Sequence, residues 1–246
     1  MRLSIILPTY NEAENMEILI PKLILYCSKK NLNPSEIFVM DDKSPDGTAK
    51  IARKYIADAS KKNIKLIIVE RKGKRGLTPA VIDGMRIANG KSILIMDSDL
   101  SHPITAIKDM VSAVQILGAD LSIGSRNCPG GSYDPNWPSY RKLISFFSSL
   151  MGRLLDWRVT DPMAGFFCCS RKFIEKNNFN TLKGDGFKIL LEIVVKFKPK
   201  KIIEIPIIFN DRIYGESKMK LRVMWKYIIQ LIDLYKHKII HKIFKN

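Results

Sequence analysis

Strand-length apolar runs, each closing on a cluster of polar residues and separated by helix-length amphipathic segments, constrain this chain more than any other feature. The runs are residues 3–7, 37–40, 66–69 and 93–96, and residues 120–123 make a fifth strand. Helical spacing fills the intervals: 12–28, with Met16, Leu19, Ile20, Leu23 and Ile24 on one face, then 47–60, 78–89 and 103–117. Strands that are apolar throughout are buried on both faces. Alternating with helices, they predict an α/β fold, a mainly parallel sheet with helices on both faces. The 246 residues suffice for one large domain of this kind.

The polar clusters 8–12, 41–46, 97–99 and 125–126 each follow one of these strands. Open α/β sheets bind ligands at the carboxyl ends of their strands, so these clusters predict one site along one sheet edge. Asp97-Ser98-Asp99 offers two carboxylates that can share a hard divalent cation, which can neutralise a diphosphate. In Asp41-Asp42-Lys43-Ser44-Pro45-Asp46-Gly47-Thr48 a turn can present Asp42 to a ligand while Asp46 caps the next helix. Adjacent carboxylates at 41 and 42 need polar or cationic partners. Arg126, Arg141, Arg212 and Lys218 are the candidate phosphate binders. Arg126 follows a strand, and Arg212 and Lys218 bracket a Gly215-Glu216-Ser217 turn able to close over an anion. His102, His237 and His241 stand in no triad context, and no GxGxxG follows the first strand, which weighs against a dinucleotide oxidoreductase.

Beyond residue 126 the pattern changes. Residues 128–138 are rich in Gly, Pro and Asn and read as a loop. Residues 139–157 form an amphipathic helix with Leu143, Phe146, Phe147, Leu150, Met151 and Leu154 behind Arg141 and Lys142. Strands are expected at 165–169 and 202–209. From residue 221 a helical tail carries Leu221, Met224, Trp225, Ile228, Ile232 and Tyr235 among lysines. Lys and Arg exceed Asp and Glu by 41 to 24, a net +17, which suggests an anionic membrane, a phosphorylated small molecule or nucleic acid as partner. Nucleic acid fits worst, because the strand-end carboxylates would repel it. Cys27, Cys128, Cys168 and Cys169 show neither CxxC nor metal-ligand spacing and read as reduced cytosolic thiols, with 168 and 169 on opposite faces of a strand. No apolar run reaches the roughly 18–20 residues of a membrane span, and no signal peptide is expected, so any membrane contact would be peripheral.

Several segments together resemble a known family. They are Pro8-Thr9-Tyr10-Asn11-Glu12, the Asp41–Thr48 stretch, Met96-Asp97-Ser98-Asp99-Leu100-Ser101-His102-Pro103 and Gly124-Ser125-Arg126. Further on come Asn136-Trp137-Pro138-Ser139-Tyr140-Arg141-Lys142-Leu143-Ile144-Ser145, Asp161-Pro162-Met163-Ala164-Gly165-Phe166, Gly186-Phe187-Lys188-Ile189-Leu190-Leu191-Glu192 and Arg212-x-x-Gly215-Glu216-Ser217-Lys218. The set resembles family-2 glycosyltransferases of the Rossmann-like GT-A fold, and among them the polyprenol-phosphate (dolichol-phosphate) mannose synthases, over residues 3 to about 220. The resemblance implies a GT-A domain over 1–220 and a basic amphipathic tail helix over 221–246. It implies inverting transfer of mannose from GDP-mannose to dolichyl phosphate; UDP-glucose as donor or a glycan as acceptor is the alternative. Pro8, Tyr10, Glu12, Asp42 and Ser98 would hold the nucleotide. Asp97 and Asp99 would hold Mg2+ or Mn2+, with Ser101 where many relatives place a third ligand, Gln. Asp99, Arg126, Arg141 and Ser145 would form the reaction centre, the last three gripping the acceptor phosphate, while Arg212 and Lys218 close over the donor. Asp161 stands where a glycan-using relative would place a base. The lipid acceptor implies a place on the cytosolic face of a membrane, with a membrane-protein subunit as a further partner. Helix 139–157 is then expected at the membrane interface; for the tail, interface and core packing stand equal.

Overall fold

The structure, a computed structural model, describes residues 3–32, 35–135, 137–178, 181–182, 188–212, 214 and 221–243. Its main sheet contains β1 (Leu3–Thr9), β2 (Ser35–Asp41), β3 (Ile64–Glu70), β4 (Ser92–Ile95), β5 (Leu121–Ser125), β7 (Phe167–Ser170) and β8 (Ile202–Pro206). β6 (Ser132–Tyr133) and β9 (Ile208–Phe209) pair separately, in parallel. The helices are α1 (Ala13–Lys29), α2 (Thr48–Arg53), α3 (Ile56–Lys61), α4 (Leu77–Ile87), α5 (Ile107–Gln115), α6 (Ser139–Arg153), α7 (Arg171–Glu175), α8 (Ile189–Phe197) and α9 (Leu221–Ile243).

The strand order is β3-β2-β1-β4-β7-β5-β8. Every pairing is parallel except those of β7, which runs antiparallel to both β4 and β5. Strand alternation divides the core between two faces. Leu3, Ile5 and Leu7 join Met16, Leu19 and Leu23 of α1 and Met110 of α5 on one side. Ile6, Phe38, Met40, Ile93 and Ile95 join Val81 and Met85 of α4 and Leu190 of α8 on the other. Cys168 lies on the first side and Cys169 on the second, as strand alternation requires.

The direction of β7 positions the site. The segment between β5 and β7 leaves the carboxyl edge of the sheet at Ser125 and returns to that edge before Phe167. β7 must therefore start at the edge and run away from it. Its leading residues meet the ends of β4 and β5, and Gly124 donates its N–H to Phe166 O at 2.9 Å.

Two expected elements are broken. The helix over 47–60 splits after Arg53, where Lys54 and Tyr55 donate to carbonyls three residues back. The break lets Tyr55 pack on the first core cluster and donate its hydroxyl to Glu17 O. The strand over 202–209 is divided: β8 ends at Pro206, Ile207 still donates its N–H to Ser125 O at 3.0 Å, and the chain resumes as β9 in the other sheet.

The face of α6 carrying Leu143, Phe146, Phe147, Leu150 and Met151 is exposed, and Trp157 just beyond it is 82% exposed. α9 buries one seam, Tyr227, Leu231 and Leu234, against Leu155, Met163, Leu191 and Val195. Its outer face leaves Trp225, Ile229 and Ile232 exposed. Among the described residues no helix is long and apolar enough to cross a membrane.

Candidate active site

Three strand ends turn through non-glycine residues in the left-handed region: Asn11 after β1 (φ 55°), Lys43 after β2 (φ 57°) and Leu100 after β4 (φ 64°). Each costs on the order of 1–3 kcal/mol. Leu100 is the most unfavourable, since only small polar residues visit this region readily. These three turns lie at the edge where the polar clusters gather, whereas Asn31, Asn63 and Lys198, also at positive φ, follow helices. Ser98 Oγ donates to Pro8 O at 2.7 Å, tying the end of β1 to the aspartates after β4.

The paired carboxylates after β2 are fully partnered. Asp41 accepts from the backbone and hydroxyl of Ser44. Asp42 accepts from Arg71 Nη1 and, at 2.7 Å, from the Gly76 N–H before α4. Arg71 is buried; it also donates from Nε and Nη2 to Asp83 Oδ2 at 3.0 and 2.8 Å and from Nη2 to Lys74 O at 2.9 Å. Asp46 accepts from the N–H of Thr48 and of Ala13, each at 3.0 Å, so one carboxylate serves the starts of α2 and α1. Glu12 accepts from Asn15 Nδ2 at 2.7 Å, and the Arg75 guanidinium stands 5.7 Å from the Tyr10 ring centre. Pro8, Tyr10, Glu12 and Asp42 thus share the β1–β2 end of the edge. Arg71, which orients Asp42, was not among the expected site residues.

After β4, Asp97 Oδ2 lies 3.3 Å from His102 Nε2. The His102 ring is stacked on Phe166 at 5.0 Å and edge-on to Phe209 at 5.3 Å. Burial alone would raise the Asp97 pKa; the hydrogen bond and charge of His102, with the charges of Lys188 and Arg212, hold it below the usual carboxylate range. Asp99 Oδ1 accepts from Ser101 N at 3.2 Å and from its hydroxyl, while Oδ2 faces Arg212 Nη2 at 3.3 Å. Ser101 is buried and directs its proton at Asp99. Among the described residues no group of three His, Cys, Asp or Glu side chains stands ready for a metal. Two anionic carboxylates in one sheet-edge turn still fit a hard cation such as Mg2+ or Mn2+, which takes one or two carboxylates and fills its remaining positions with phosphate oxygens and water.

Across the β4–β7–β5 junction stands a second charge cluster. Arg126 grips the fully buried Asp161 with Nε at 2.7 Å, Nη2 at 2.8 Å and its backbone N–H at 3.1 Å. Glu204 of β8 fixes this loop by accepting from the N–H of Thr160 and of Asp161. Burial would raise the Asp161 pKa, but the charge and hydrogen bonds of Arg126 keep it low. Arg126 lies 5.3 and 5.1 Å from the ring centres of Tyr133 and Phe209. The Lys188 ammonium interacts with Asp97, Asp161 and Asp99 and is opposed by Arg126; burial pulls its pKa below the ordinary lysine value despite the carboxylates. Lys188 belongs to a segment that carried the family resemblance, yet its neighbours in the chain point to no role for it. β7 carries the chain away from the edge, yet the charge of Lys188, immediately before α8, still acts on the site's carboxylates.

Arg141 and Ser145, four residues apart on α6, flank the same region. Ser145 Oγ and Tyr133 Oη lie 2.9 Å apart, and Arg141 Nη1 is 3.6 Å from Asp211 Oδ1. Arg212 follows Asp211, and Asn15 Nδ2 reaches Tyr214 O at 3.5 Å, so residues 211, 212 and 214 make contacts from α6 past Asp99 to α1. Lys218 and the 215–217 turn lie outside the described residues.

Residues 4–177 match Glycosyl transferase family 2. Over 239 residues the chain is 38% identical to the dolichol-phosphate mannosyltransferase of Pyrococcus furiosus, covering 96% of this chain. It spans 64% of that relative's length. Against the dolichol-phosphate mannosyltransferase of Saccharomyces cerevisiae the identity is 32% over 237 residues, 94% of this chain and 86% of the yeast protein. A mannosyltransferase of Pyrobaculum calidifontis, solved with GDP-Man and Mn2+, shares the fold at a TM-score of 0.61 and 18% identity, over 88% of this chain and 58% of that one. The architecture is thus the GT-A fold expected from the sequence. Sequence and fold point the same way: the chain belongs to glycosyltransferase family 2, with the dolichol-phosphate mannosyltransferases among its relatives.

Proposed function

We propose that this chain transfers mannose, with inversion at the anomeric carbon, from GDP-mannose to dolichyl or another polyprenyl phosphate, releasing GDP. One observation carries the reading. Asp161, the carboxylate best placed to serve a hydroxyl acceptor, is buried and bound on both oxygens by Arg126. A carboxylate held anionic in this way is a weak base. A phosphate acceptor needs no base: its second pKa is near ~6, so it is already a nucleophile at neutral pH. The names of the relatives support the same acceptor and sugar.

In this reading an acceptor phosphate oxygen attacks C1 of mannose. The bond from C1 to the diphosphate oxygen breaks, and its electron pair leaves with GDP. Pro8, Tyr10, Glu12 and Asp42 hold the nucleoside, with Arg71 and the Gly76 N–H fixing the Asp42 carboxylate. Asp97 and Asp99 would hold Mg2+ or Mn2+, which supplies charge neutralisation for the leaving diphosphate. Arg126 spends Nε and Nη2 on Asp161, which leaves Nη1 to meet the acceptor phosphate beside Arg141 and Ser145. Lys188 and Arg212 face the carboxylates at the seam between donor and acceptor. Placing two phosphates in line against their repulsion is the principal task of these cations.

The acceptor would arrive from a membrane surface on the cytosolic side. The exposed faces of α6 and α9 lie outward, with Arg141 and Lys142 opening α6 and lysines along α9. Apolar burial at the interface and about 1 kcal/mol for each basic residue near an anionic leaflet would hold the protein there.

Radiolabelled GDP-mannose and UDP-glucose, offered with dolichyl phosphate in detergent, with Mn2+ or with EDTA, test the reading. Metal-dependent mannose in the lipid phase is the expected result. Label from UDP-glucose alone would replace the donor. No lipid label from either donor would overturn the acceptor.

A further inference from the structure

Gln230 sits on the inner side of α9, 6% exposed. Its side-chain amide makes two hydrogen bonds to the backbone of one residue. Oε1 accepts from Lys188 N–H at 3.2 Å, and Nε2 donates to Lys188 O at 3.0 Å. Lys188 has extended backbone angles immediately before α8, so these bonds hold the last residue ahead of that helix. Its ammonium is drawn by the charges of Asp97, Asp161 and Asp99.

The seam around Gln230 is anchored independently. Tyr227, three residues earlier, donates its hydroxyl to Ser148 O of α6 at 2.6 Å. Leu231 and Leu234 pack with Leu191 and Val195 of α8. α9 therefore carries an exposed apolar face on one side and a backbone clamp on an active-site lysine on the other. A polar side chain this deeply buried makes its bonds or costs stability. Here the bonds fall on the residue whose charge interacts with both carboxylate groups of the site.

We propose that Gln230 is a positioning residue for Lys188, so that the seating of the tail helix sets where the Lys188 ammonium stands against the substrate phosphates. The role at the phosphates rests on the reaction proposed above; the clamp rests on the hydrogen bonds alone.

Gln230→Met keeps the length and bulk of the side chain and removes both hydrogen bonds. The assay uses GDP-mannose and a short-chain, water-soluble polyprenyl phosphate without vesicles, so that altered membrane seating contributes nothing. The variant should lose about tenfold in kcat, as expected when a charged group drifts by a fraction of the ~1 Å that costs 100-fold. KM for GDP-mannose should stay within about twofold, because the nucleoside contacts are untouched. Combined with Lys188→Ala, Gln230→Met should cost nothing further. The Lys188 amide should exchange with deuterium faster in the Gln230→Met protein. Wild-type kcat in the folded variant, losses that multiply in the double variant, or a defect seen only with vesicle-borne acceptor would each overturn the proposal. If the wild-type enzyme transfers nothing to any polyprenyl phosphate, the reaction assigned above fails. Amide exchange then decides the clamp by itself: unchanged exchange overturns it, and faster exchange upholds it.

Discussion

Gly165→Ala tests the placement of Asp97 with a single methyl group. A Cβ built on Gly165 would lie 2.4 Å from Asp97 Oδ2, 3.0 Å from its Cγ and 3.1 Å from Oδ1. Carbon and oxygen tolerate approach to roughly 3.3 Å, so the carboxylate would have to withdraw by about 1 Å. His102 cannot follow, since its ring is held by Phe166 and Phe209. A misplacement of about 1 Å costs roughly 100-fold in rate. The methyl meets the end of a side chain rather than backbone, so the fold should absorb it at about 1 kcal/mol, a Tm change of roughly 2–4 °C. Gly124→Ala is the matched control. Its Cβ would fall 2.6 Å from Cδ1 of the fully buried Phe166, an overpacking worth about 1–3 kcal/mol, to be read chiefly as lost stability. Mannose transfer across a Mn2+ titration, with a thermal melt of each variant, separates the two effects. Wild-type kcat and Mn2+ dependence in Gly165→Ala would refute the assigned place of Asp97 in the reaction.

Arg126→Ala leaves Asp161 buried without its cation, a loss of about 3–5 kcal/mol, and should lower Tm by roughly 10 °C; a melt within 2–3 °C of wild type would show that the pair is not buried as described. Acid should destabilise the protein. The Asp161 pKa is held low in the fold by Arg126 against the effect of burial, and that of Asp156 by Arg158 likewise, so the unfolded chain takes up protons first. Their contribution is complete above the ordinary carboxylate pKa of about 4 and disappears as pH falls through the folded-state values, so urea midpoints should drop below pH 4 and hold steady from pH 5 to 6. Replacing Phe146 and Phe147 together by Glu should cut flotation with anionic vesicles at least about tenfold, given ~1.5–3 kcal/mol for each buried Phe, and leave transfer to a short soluble acceptor near wild type. Undiminished flotation would remove α6 from the membrane interface.

The sheet was legible because fully buried strands leave an uninterrupted apolar signature and strand ends must turn through polar residues. The direction of β7 was not, because a strand buried on both faces reads alike from either end. That direction matters, for it brings Asp161 and Gly165 to the ends of β4 and β5. Arg71 looked like one more charge before a basic loop; only the fold closes its guanidinium on Asp42 and Asp83. Lys188 carried no local signal either, since its neighbours Asp97 and Asp161 are remote in sequence. In the tail, the aligned stripe with Trp225, Ile228 and Ile232 was visible, but the seam that α9 buries, Tyr227, Leu231 and Leu234, lies on another side. A helix with apolar residues around most of its circumference does not announce which side faces the core.

The charges at the edge also bear on the proposed phosphate acceptor. Among the described residues, Asp97, Asp99 and Asp161 face Arg126, Lys188 and Arg212, three anions against three cations. Without substrates the cluster is near neutral, and its cations are engaged with carboxylates instead of water. Two phosphates can enter only if those engagements can be exchanged. Asp161 stays committed, because both its oxygens and the backbone N–H of Arg126 join the pair. The contact between Arg212 and Asp99 is a single approach of 3.3 Å with the arginine partly exposed, and it is the cheaper one to break. Were Asp99 to hold the cation, as proposed, Arg212 would be freed to meet the diphosphate. A hydroxyl acceptor would gain little from this exchange, since it needs a base that Arg126 withholds. An acceptor that arrives with its own negative charge gains from every cation in the cluster.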